Sequence, residues 1–322
     1  MDPRDPALRP PGHLASPADQ RHAPAPSGHL ASSADRWRAL AAVAASLRCP
    51  VCAGSLYLGD SRLACGRNHS FDIARHGYVN LTAGRAGPGT ADTPAMVAAR
   101  DRFLGHGHYQ PLAAAVQSLA ARHDRGVLGL VVDLAGGTGY YLAGVLNTLP
   151  DRHGACLDLS VPALRRAARA HSRAAALGAD VWRSLPLADR SAALVISIFG
   201  PRNAAETTRV LALEGTLIIA APGPRHLGEL RRPLGTIGID QRKPRRLADS
   251  YDDYTRSDVT GVTYQLSLDR ADLAALVSMG PSARHITPQA LAARVRSLPS
   301  PFTVTVDLQI WVFARRRERR DA

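Results

Sequence analysis

Three cysteines and one histidine lie within a single short stretch of the chain and have the types and spacing of metal ligands. Two cysteines separated by two residues can chelate one ion from a tight turn, and a cysteine and a histidine further on can complete a tetrahedron. Thiolate and imidazole ligands suit zinc, and four protein ligands leave no open position for catalysis. The pattern therefore predicts a structural zinc site formed by Cys49, Cys52, Cys65 and His69.

The residues between the two ligand pairs favour a β-hairpin. Leu56 to Leu58 and Arg62 to Ala64 flank Gly59-Asp60, as two short strands flank a turn. The alternative to a zinc site is a pair of buried thiols with an unrelated histidine. The fourth cysteine, Cys156, lies alone in an apolar run and is predicted to be a core residue rather than half of a disulfide.

A second segment whose residues could bind a ligand is the glycine-rich run that follows Asp133. Gly137 and Gly139 allow a backbone to approach a ligand closely. A dinucleotide fold would place glycine three residues after Gly139, where Leu142 stands, so the G-x-G-x-x-G pattern fails. An acidic residue before the glycines suits the cationic methionine end of S-adenosylmethionine better than a pyrophosphate. An ordinary structural turn is the alternative.

The elements around this loop alternate between strand and helix. Such alternation predicts a doubly wound α/β sheet with its ligand at the carboxyl ends of the strands. The predicted helices cover residues 140–149, 161–172 and 203–213, and the predicted strands cover residues 127–134, 155–159, 181–185, 193–199 and 215–221.

Polar and aromatic residues follow several of these strands. Asp158 ends the second strand, where a carboxylate can accept hydrogen bonds from both ribose hydroxyls. Asp180 and Val181 lie where an adenine edge would be recognised. Phe199, with Gly200-Pro201 after it, closes a later strand where a planar acceptor would dock.

The charge of the chain suggests a polyanionic partner. The 322 residues include 40 Lys+Arg against 27 Asp+Glu, a net charge of +13, and Lys243 is the single lysine. Arginine binds phosphate in a bidentate manner and stacks on bases, so RNA is a candidate partner, although coding bias in a GC-rich genome would give the same composition. Two clusters stand out: Arg225, Arg231, Arg232, Arg242, Lys243, Arg245 and Arg246, and the tail of Arg315, Arg316, Arg317, Arg319 and Arg320.

The N-terminal segment differs from the rest of the chain. It is rich in proline and repeats Gly12 to Ser16 as Gly28 to Ser32, a composition that cannot form a core. A short helix is expected over Leu40 to Leu47, no apolar run reaches the length of a membrane span, and reduced thiols at a metal site suggest the cytoplasm. The expected organisation is a disordered tail (1–38), a zinc-binding module (39–85), a helical linker (86–125), a class I methyltransferase domain (126–314) and a basic tail (315–322).

The glycine loop and the acidic strand ends together resemble the class I methyltransferases. Several further motifs are similar to the RlmA family of 23S ribosomal RNA (guanine-N1)-methyltransferases, some of which, of the TlrB type, confer macrolide (tylosin) resistance. The motifs lie at Cys49 to Cys52, Cys65 to His69, Phe71-Asp72, Gly77 to Leu81, Gly107 to Leu112 and Pro222 to Leu227. The chain departs from the usual pattern at Ala135, where many methyltransferases have glycine, and at Phe199 to Pro201, which resembles the family's Tyr-Ala-Pro only in type.

The resemblance implies a set of functional residues. The zinc quartet is carried over as it stands, and cofactor contacts are carried over to Tyr109, Gly137, Thr138 and His226, in addition to Asp133, Gly139, Asp158 and Asp180 from the methyltransferase pattern. The implied cofactors are S-adenosylmethionine and zinc, and the implied partner is 23S rRNA. Tyr109 could alternatively pack between the zinc module and the core, and His226 could cap a helix.

The expected reaction is N1-methylation of a guanine in a hairpin loop of 23S rRNA. Two other classes remain open, a small-molecule methyltransferase and a non-enzymatic zinc-dependent RNA-binding protein. The catalytic base stays unassigned, since Glu206 and Asp189 are candidates by position only. The resemblance to members of the TlrB type further implies macrolide (tylosin-type) resistance.

Overall fold

One mixed β-sheet of eight strands contains strands from the N-terminal module and from the rest of the chain. The computed structural model describes residues 30–84, 91–237, 251 and 254–315. The strands are β1 (Leu56–Leu58), β2 (Arg62–Cys65), β3 (Ser70–Asp72), β4 (Val79–Asn80), β5 (Leu130–Leu134), β6 (Gly154–Asp158), β7 (Ala174–Gly178), β8 (Ala192–Ile198), β9 (Leu211–Pro222), β10 (Tyr254–Leu268) and β11 (Phe302–Arg315).

Helices cover both faces of this sheet. They are α1 (Ser33–Ala44), α2 (Pro94–Gly105), α3 (Gln110–His123), α4 (Tyr140–Thr148), α5 (Val161–Ala170), α6 (Ala204–Val210), α7 (Arg231–Leu234), α8 (Arg270–Ser278) and α9 (Pro288–Arg296), with 3₁₀ turns at Gly228–Leu230 and Pro281–Arg284. No helix in the described ranges is long and apolar enough to cross a membrane.

The strand order in the large sheet is β10-β11-β9-β8-β5-β6-β7-β4. Neighbours from β4 to β9 are parallel, and β11 is antiparallel to both β9 and β10. All five residues of β5 are buried, as expected of a parallel strand covered on both faces. The chain leaves β5 towards β6 on one side and later returns to β8 on the other. This change of direction opens a crevice beyond the carboxyl end of β5.

Local sequence explains where α5 begins and how it packs. The Ser160 hydroxyl accepts a hydrogen bond from the backbone N–H of Ala163, and a proline lies in the first turn. Leu164, Ala167 and Ala168 are buried on one side of the helix, while arginines occupy the other. Small residues on the buried side allow α5 to lie close to β6 and β7, which positions the end of β6.

The N-terminal module contributes a strand to the large sheet and packs against it. Strands β1, β2 and β3 form a small antiparallel sheet, whereas β4 pairs in parallel with β7, with Val79 opposite Leu177. Leu47 forms a β-bridge with Leu187, and both side chains are fully buried. The module and the α/β part of the chain therefore share one hydrophobic core.

Several predicted boundaries are wrong at their ends. The first strand after α3 begins at Leu130 rather than residue 127, because Leu128 is exposed and Gly129 adopts a φ of 143° beside Ser191. The helix predicted to reach residue 213 ends at Val210, since the following residues pair with β8 as part of β9. Helix α1 begins at Ser33, inside the expected tail, and ends at Ala44, before the predicted end at Leu47.

One predicted strand is wrong altogether. Residues 181–185 form a turn, because the Asp180 carboxylate accepts the backbone N–H of Trp182 and a proline follows at position 186. The third strand is instead β7, an alanine-rich run that continues the composition of the preceding helix. The remaining predicted elements, including the hairpin of β1 and β2, are confirmed to within a few residues.

Candidate functional site

A cavity of about 640 Å³ lies at the carboxyl ends of β5, β6 and β8. It occupies the crevice where the sheet changes direction, the usual ligand position in such folds. Seven of the eight residues predicted to bind a cofactor line it: Tyr109, Asp133, Gly137, Thr138, Asp158, Asp180 and His226.

The glycine loop after β5 follows a path that few side chains tolerate. Ala135, Gly137 and Gly139 all have positive φ, at 55°, 58° and 78°. Ala135 adopts the left-handed conformation despite its Cβ, so the loop forms although glycine is missing there. A Cβ on Gly136 would lie 2.6 Å from the carboxyl carbon of Asp133. The loop thus needs a residue without a side chain beside that acid.

Gly139 is the predicted residue that the structure places elsewhere. It precedes the first residue of α4 and does not line the cavity. A Cβ there would lie 3.1 Å from the Cα of Ala167 on α5. Its role in the structure is to start α4 and to let two helices approach closely, so the prediction that it contacts the cofactor is not supported by its position.

Asp158 joins the glycine loop to the start of α5. One carboxylate oxygen accepts the backbone N–H of Gly137 at 2.9 Å, and the other accepts that of Ser160 at 2.7 Å. Burial raises the pKa of Asp158, and these two hydrogen bonds oppose the rise. Each carboxylate oxygen has a second lone pair, so the fixed carboxylate can still accept hydrogen bonds from a ligand in the cavity.

Asp133 is the most deeply buried acid of the cavity. Its side chain is 1% exposed, and the Oδ2 atom has no hydrogen-bond partner. Burial, followed by the negative charge of Asp158, raises the pKa of Asp133 well above its usual range. A buried acceptor without a partner is costly unless a ligand supplies a donor. The arrangement is suited to a cationic group in the cavity.

Asp180 forms the wall near the end of β7. Its Oδ1 accepts the backbone N–H of Trp182 at 3.0 Å, which fixes the turn that replaces the predicted strand. Val181 is buried and also lines the cavity, whereas the Trp182 ring is 65% exposed at its edge. The turn therefore presents a fixed carboxylate and apolar surface to the cavity.

Three rings form the opposite wall. Tyr109 is buried, and its centroid lies 5.8 Å from that of Phe199, which stacks on His226 at 6.3 Å. His226 Nδ1 accepts the backbone N–H of Asp307, so Nε2 carries the proton and donates to the Tyr109 hydroxyl at 3.4 Å. Burial lowers the pKa of His226 to about 4. This wall is therefore aromatic and uncharged at neutral pH.

The two acids considered as bases lie elsewhere. Glu206 accepts the backbone N–H of Leu185 and pairs with Arg209, and Asp189 pairs with the same arginine on the surface. Neither residue lines the cavity. Their contacts explain them as anchors between α6 and the segment before β8.

The zinc ligands predicted from sequence converge at one point. All four ligand atoms lie within 4.8 Å of one another, and the Cys65 Sγ lies 3.4 Å from the His69 Nδ1. Burial opposes ionisation of Cys65, but hydrogen bonds from the backbone of Arg67 and from the His69 ring lower its pKa to about 6. Three thiols and an imidazole in this arrangement fit a zinc ion.

Hydrogen-bonded turns shape both halves of this site. In the first, the Ala53 N–H donates to the carbonyl of Cys49, and Ala53 has a φ of 57°. In the second, the Asn68 N–H donates to the carbonyl of Cys65, and Asn68 has a φ of 63°. Each knuckle is therefore closed by a hydrogen bond to the carbonyl of its first ligand and contains one residue in the left-handed conformation.

The arginine clusters are only partly described. Arg225 has a 69% exposed side chain beside the cavity wall, and Arg231 and Arg232 follow in α7. Arg242, Lys243, Arg245 and Arg246, and the tail after residue 315, lie outside the described residues. Arg315, assigned to that tail, is in fact part of β11 and donates to the carbonyls of Thr208 and Leu211, so its prediction as a free tail residue is wrong.

Among the lining residues of the cavity that were not predicted from sequence, Arg100 and Trp182 are notable for their chemistry. Arg100 on α2 faces the glycine loop, and its guanidinium also bonds the carbonyl of Met279, 179 positions away. Trp182 stands at the cavity edge. A long-range contact from the middle of a helix leaves no local signal, whereas a tryptophan beside Asp180 could have been noticed.

The sheet order, the glycine loop and the acidic strand ends define a class I, S-adenosylmethionine-dependent methyltransferase with an N-terminal zinc ribbon. Residues 47–83 match the family model described as the RlmA N-terminal zinc ribbon. A 23S rRNA (guanine(748)-N(1))-methyltransferase of Streptomyces fradiae is 43% identical over 268 residues, or 83% of this chain and 95% of the relative. A relative from Micromonospora griseorubida, named for 23S rRNA (guanine-N(1)-) methylation, is 44% identical over 282 residues, covering 82% and 95%.

The two alignments cover almost the whole length of each relative. The chain therefore belongs to the RlmA family of 23S rRNA (guanine-N1)-methyltransferases, and the resemblance inferred from the motifs is confirmed.

Proposed function

We propose that the chain methylates N1 of a guanine in a hairpin loop of 23S rRNA, using S-adenosylmethionine as methyl donor and acting in the cytoplasm. The observation that carries the proposal is the cavity at the end of β5, where acidic residues meet an aromatic wall. Family membership supports the RNA target, and the cavity supports the chemistry.

The acidic half of the cavity suits the cofactor. Asp133 offers an unpartnered carboxylate oxygen to the cationic methionine end, and Asp158 offers its remaining lone pairs to the ribose hydroxyls. The fixed turn at Asp180 borders the adenine. When bound, S-adenosylmethionine supplies an activated methyl group.

The aromatic half suits the acceptor. A guanine unstacked from an RNA loop presents a flat face, and the ring of Phe199, a residue that is 40% exposed, offers a flat surface to it. Guanine N1 carries a proton that has to leave when the nitrogen is methylated. His226 Nε2 already carries a proton, so this atom is not the base, and the N1 proton passes to another side chain or to water. The contribution of the enzyme is then alignment and electrostatics.

A finer part of the proposal concerns antibiotic action. A methyl group on N1 removes a Watson–Crick donor and adds bulk to the RNA. If the target lies near the macrolide-binding exit tunnel, this bulk obstructs a macrolide whose sugar reaches that wall. We therefore propose that the chain confers resistance to tylosin-type macrolides.

Primer extension tests the reaction, because N1-methylguanine stops reverse transcriptase. Unmodified 23S RNA is incubated with the zinc-loaded protein and labelled cofactor. A new stop within a hairpin loop, which is absent with Asp133→Ala, is the expected result. Label transferred only to small molecules would favour a small-molecule methyltransferase, and RNA binding with no transfer at all would favour a non-enzymatic zinc protein.

A further inference from the structure

Arg100 lies directly over the glycine loop. It comes from α2, and a Cβ built on Gly137 would lie 3.2 Å from its Nη1 atom. Its side chain is 26% exposed and lines the cavity. A guanidinium in this position is a fixed positive charge beside the part of the loop that a ligand has to touch.

Two contacts hold the guanidinium in place. Nη1 lies 2.5 Å from Oδ2 of Asp92, and Nη2 donates to the carbonyl of Met279 at 2.9 Å. A guanidinium carries five N–H donors, so these two contacts leave donors for a further acceptor. Because both anchors belong to the protein, the group is positioned before any ligand arrives, which reduces the entropy lost on binding.

The charges around the loop form a complementary pair of positions. Asp133 is an acid with one unpartnered oxygen, and Arg100 is a cation close to the same loop. The lining residues in the described ranges include one other arginine, Arg284, which pairs with Asp92 and the carbonyl of Ala91. An amino-acid zwitterion needs a carboxylate for its ammonium group and a cation for its carboxylate.

We propose that Arg100 binds the α-carboxylate of the methionine part of the cofactor and selects ligands that carry this carboxylate. The inference rests on the proposed function, because it names a residue for the same cavity. Arginine suits this role, since its planar fork matches the geometry of a carboxylate.

A purely structural role for Arg100 predicts a different behaviour. Its contacts with Asp92 and Met279 connect the segment before α2 to the end of α8 beside the cavity. If this were its only role, its removal would weaken every ligand of the cavity alike. A loss of affinity that is confined to the ligand with the carboxylate separates the two roles.

The test uses calorimetry on the full-length zinc-loaded protein with two ligands, S-adenosylmethionine and its decarboxylated analogue. The analogue keeps the adenosine, sulfonium and amine and lacks the carboxylate. Arg100→Gln should weaken S-adenosylmethionine by about 10- to 100-fold, the effect of losing a hydrogen bond to a charged group, and leave the analogue within about twofold. Arg100→Lys should give a smaller loss of the same selectivity.

Arg122→Gln is the matched control. This exposed arginine on α3 pairs with Asp258 away from the cavity, so both affinities should stay at the parent values. Equal losses for both ligands in Arg100→Gln, or no loss for either, would overturn the assignment. If that variant does not fold, the ratio of affinities in Arg100→Lys decides in the same way. A parent protein that binds neither ligand would overturn the proposed function as well.

Discussion

His226 should make the stability of the protein depend on pH in the mildly acidic range. Burial lowers the pKa of this imidazole from 6.5 to about 4, although Asp307 and Glu229 oppose the shift. Below about pH 6.5 the unfolded chain takes up a proton that the folded chain refuses. The stabilising contribution is therefore complete above that pH and is lost as the pH falls towards about 4.

The magnitude follows from the size of the shift. The interval between 6.5 and about 4 corresponds to roughly 3 kcal/mol at about 1.36 kcal/mol per pH unit. About 2 kcal/mol of this is already lost near pH 5. His226 is 8% exposed, so solvent screening leaves most of the effect in place.

Urea unfolding of the parent and His226→Asn at about pH 7.5 and about pH 5 measures the effect. Asparagine keeps an acceptor for the backbone N–H of Asp307 but does not titrate. The variant should be less stable at the higher pH, and this deficit should shrink by about 2 kcal/mol at the lower pH. Acid release of zinc affects both proteins and cancels in the comparison. A deficit that is the same at both pH values would refute the reasoning.

Three further outcomes are expected. Cys65→Ser should lower the zinc content measured by elemental analysis and the unfolding temperature, because one of four ligands is lost; a full complement of zinc would contradict the site. Gly136→Ala should cost about 1–3 kcal/mol in urea unfolding, since its Cβ meets the carboxyl of Asp133, whereas Gly66→Ala, with nothing within 4 Å, should cost less. Asp158→Asn should weaken S-adenosylmethionine by about 1.5–3 kcal/mol in calorimetry, and an unchanged affinity would exclude its ribose role.

Sequence reasoning succeeded where the relevant interactions are local. Successive zinc ligands are three, thirteen and four positions apart, and each knuckle is closed by its own hydrogen-bonded turn. The acids Asp133 and Asp158 are the last or next-to-last residues of short buried strands, so their position at the sheet edge follows from the strand pattern. Local sequence thus predicts the zinc ligands and the two acids at the strand ends.

It failed at one local turn and at one long-range contact. Residues 181–185 are apolar enough for a strand, but the carboxylate of Asp180 captures the backbone of Trp182 and turns the chain. Arg100 reaches the cavity because the carbonyl of Met279 holds it there. Neither contact leaves a periodic signal in the sequence, so only the folded chain reveals them.

The parallel pairing of β4 with β7 has a consequence for solubility. Without β4, the backbone groups of β7 would form an open sheet edge, which is a template for pairing with another chain. The segment that covers this edge, Val79–Asn80, is only two residues long and follows β3 in the module that contains the zinc ligands. Removal of the metal with a chelator should therefore expose the edge of β7 and promote aggregation, so that the zinc ribbon protects the sheet from self-association.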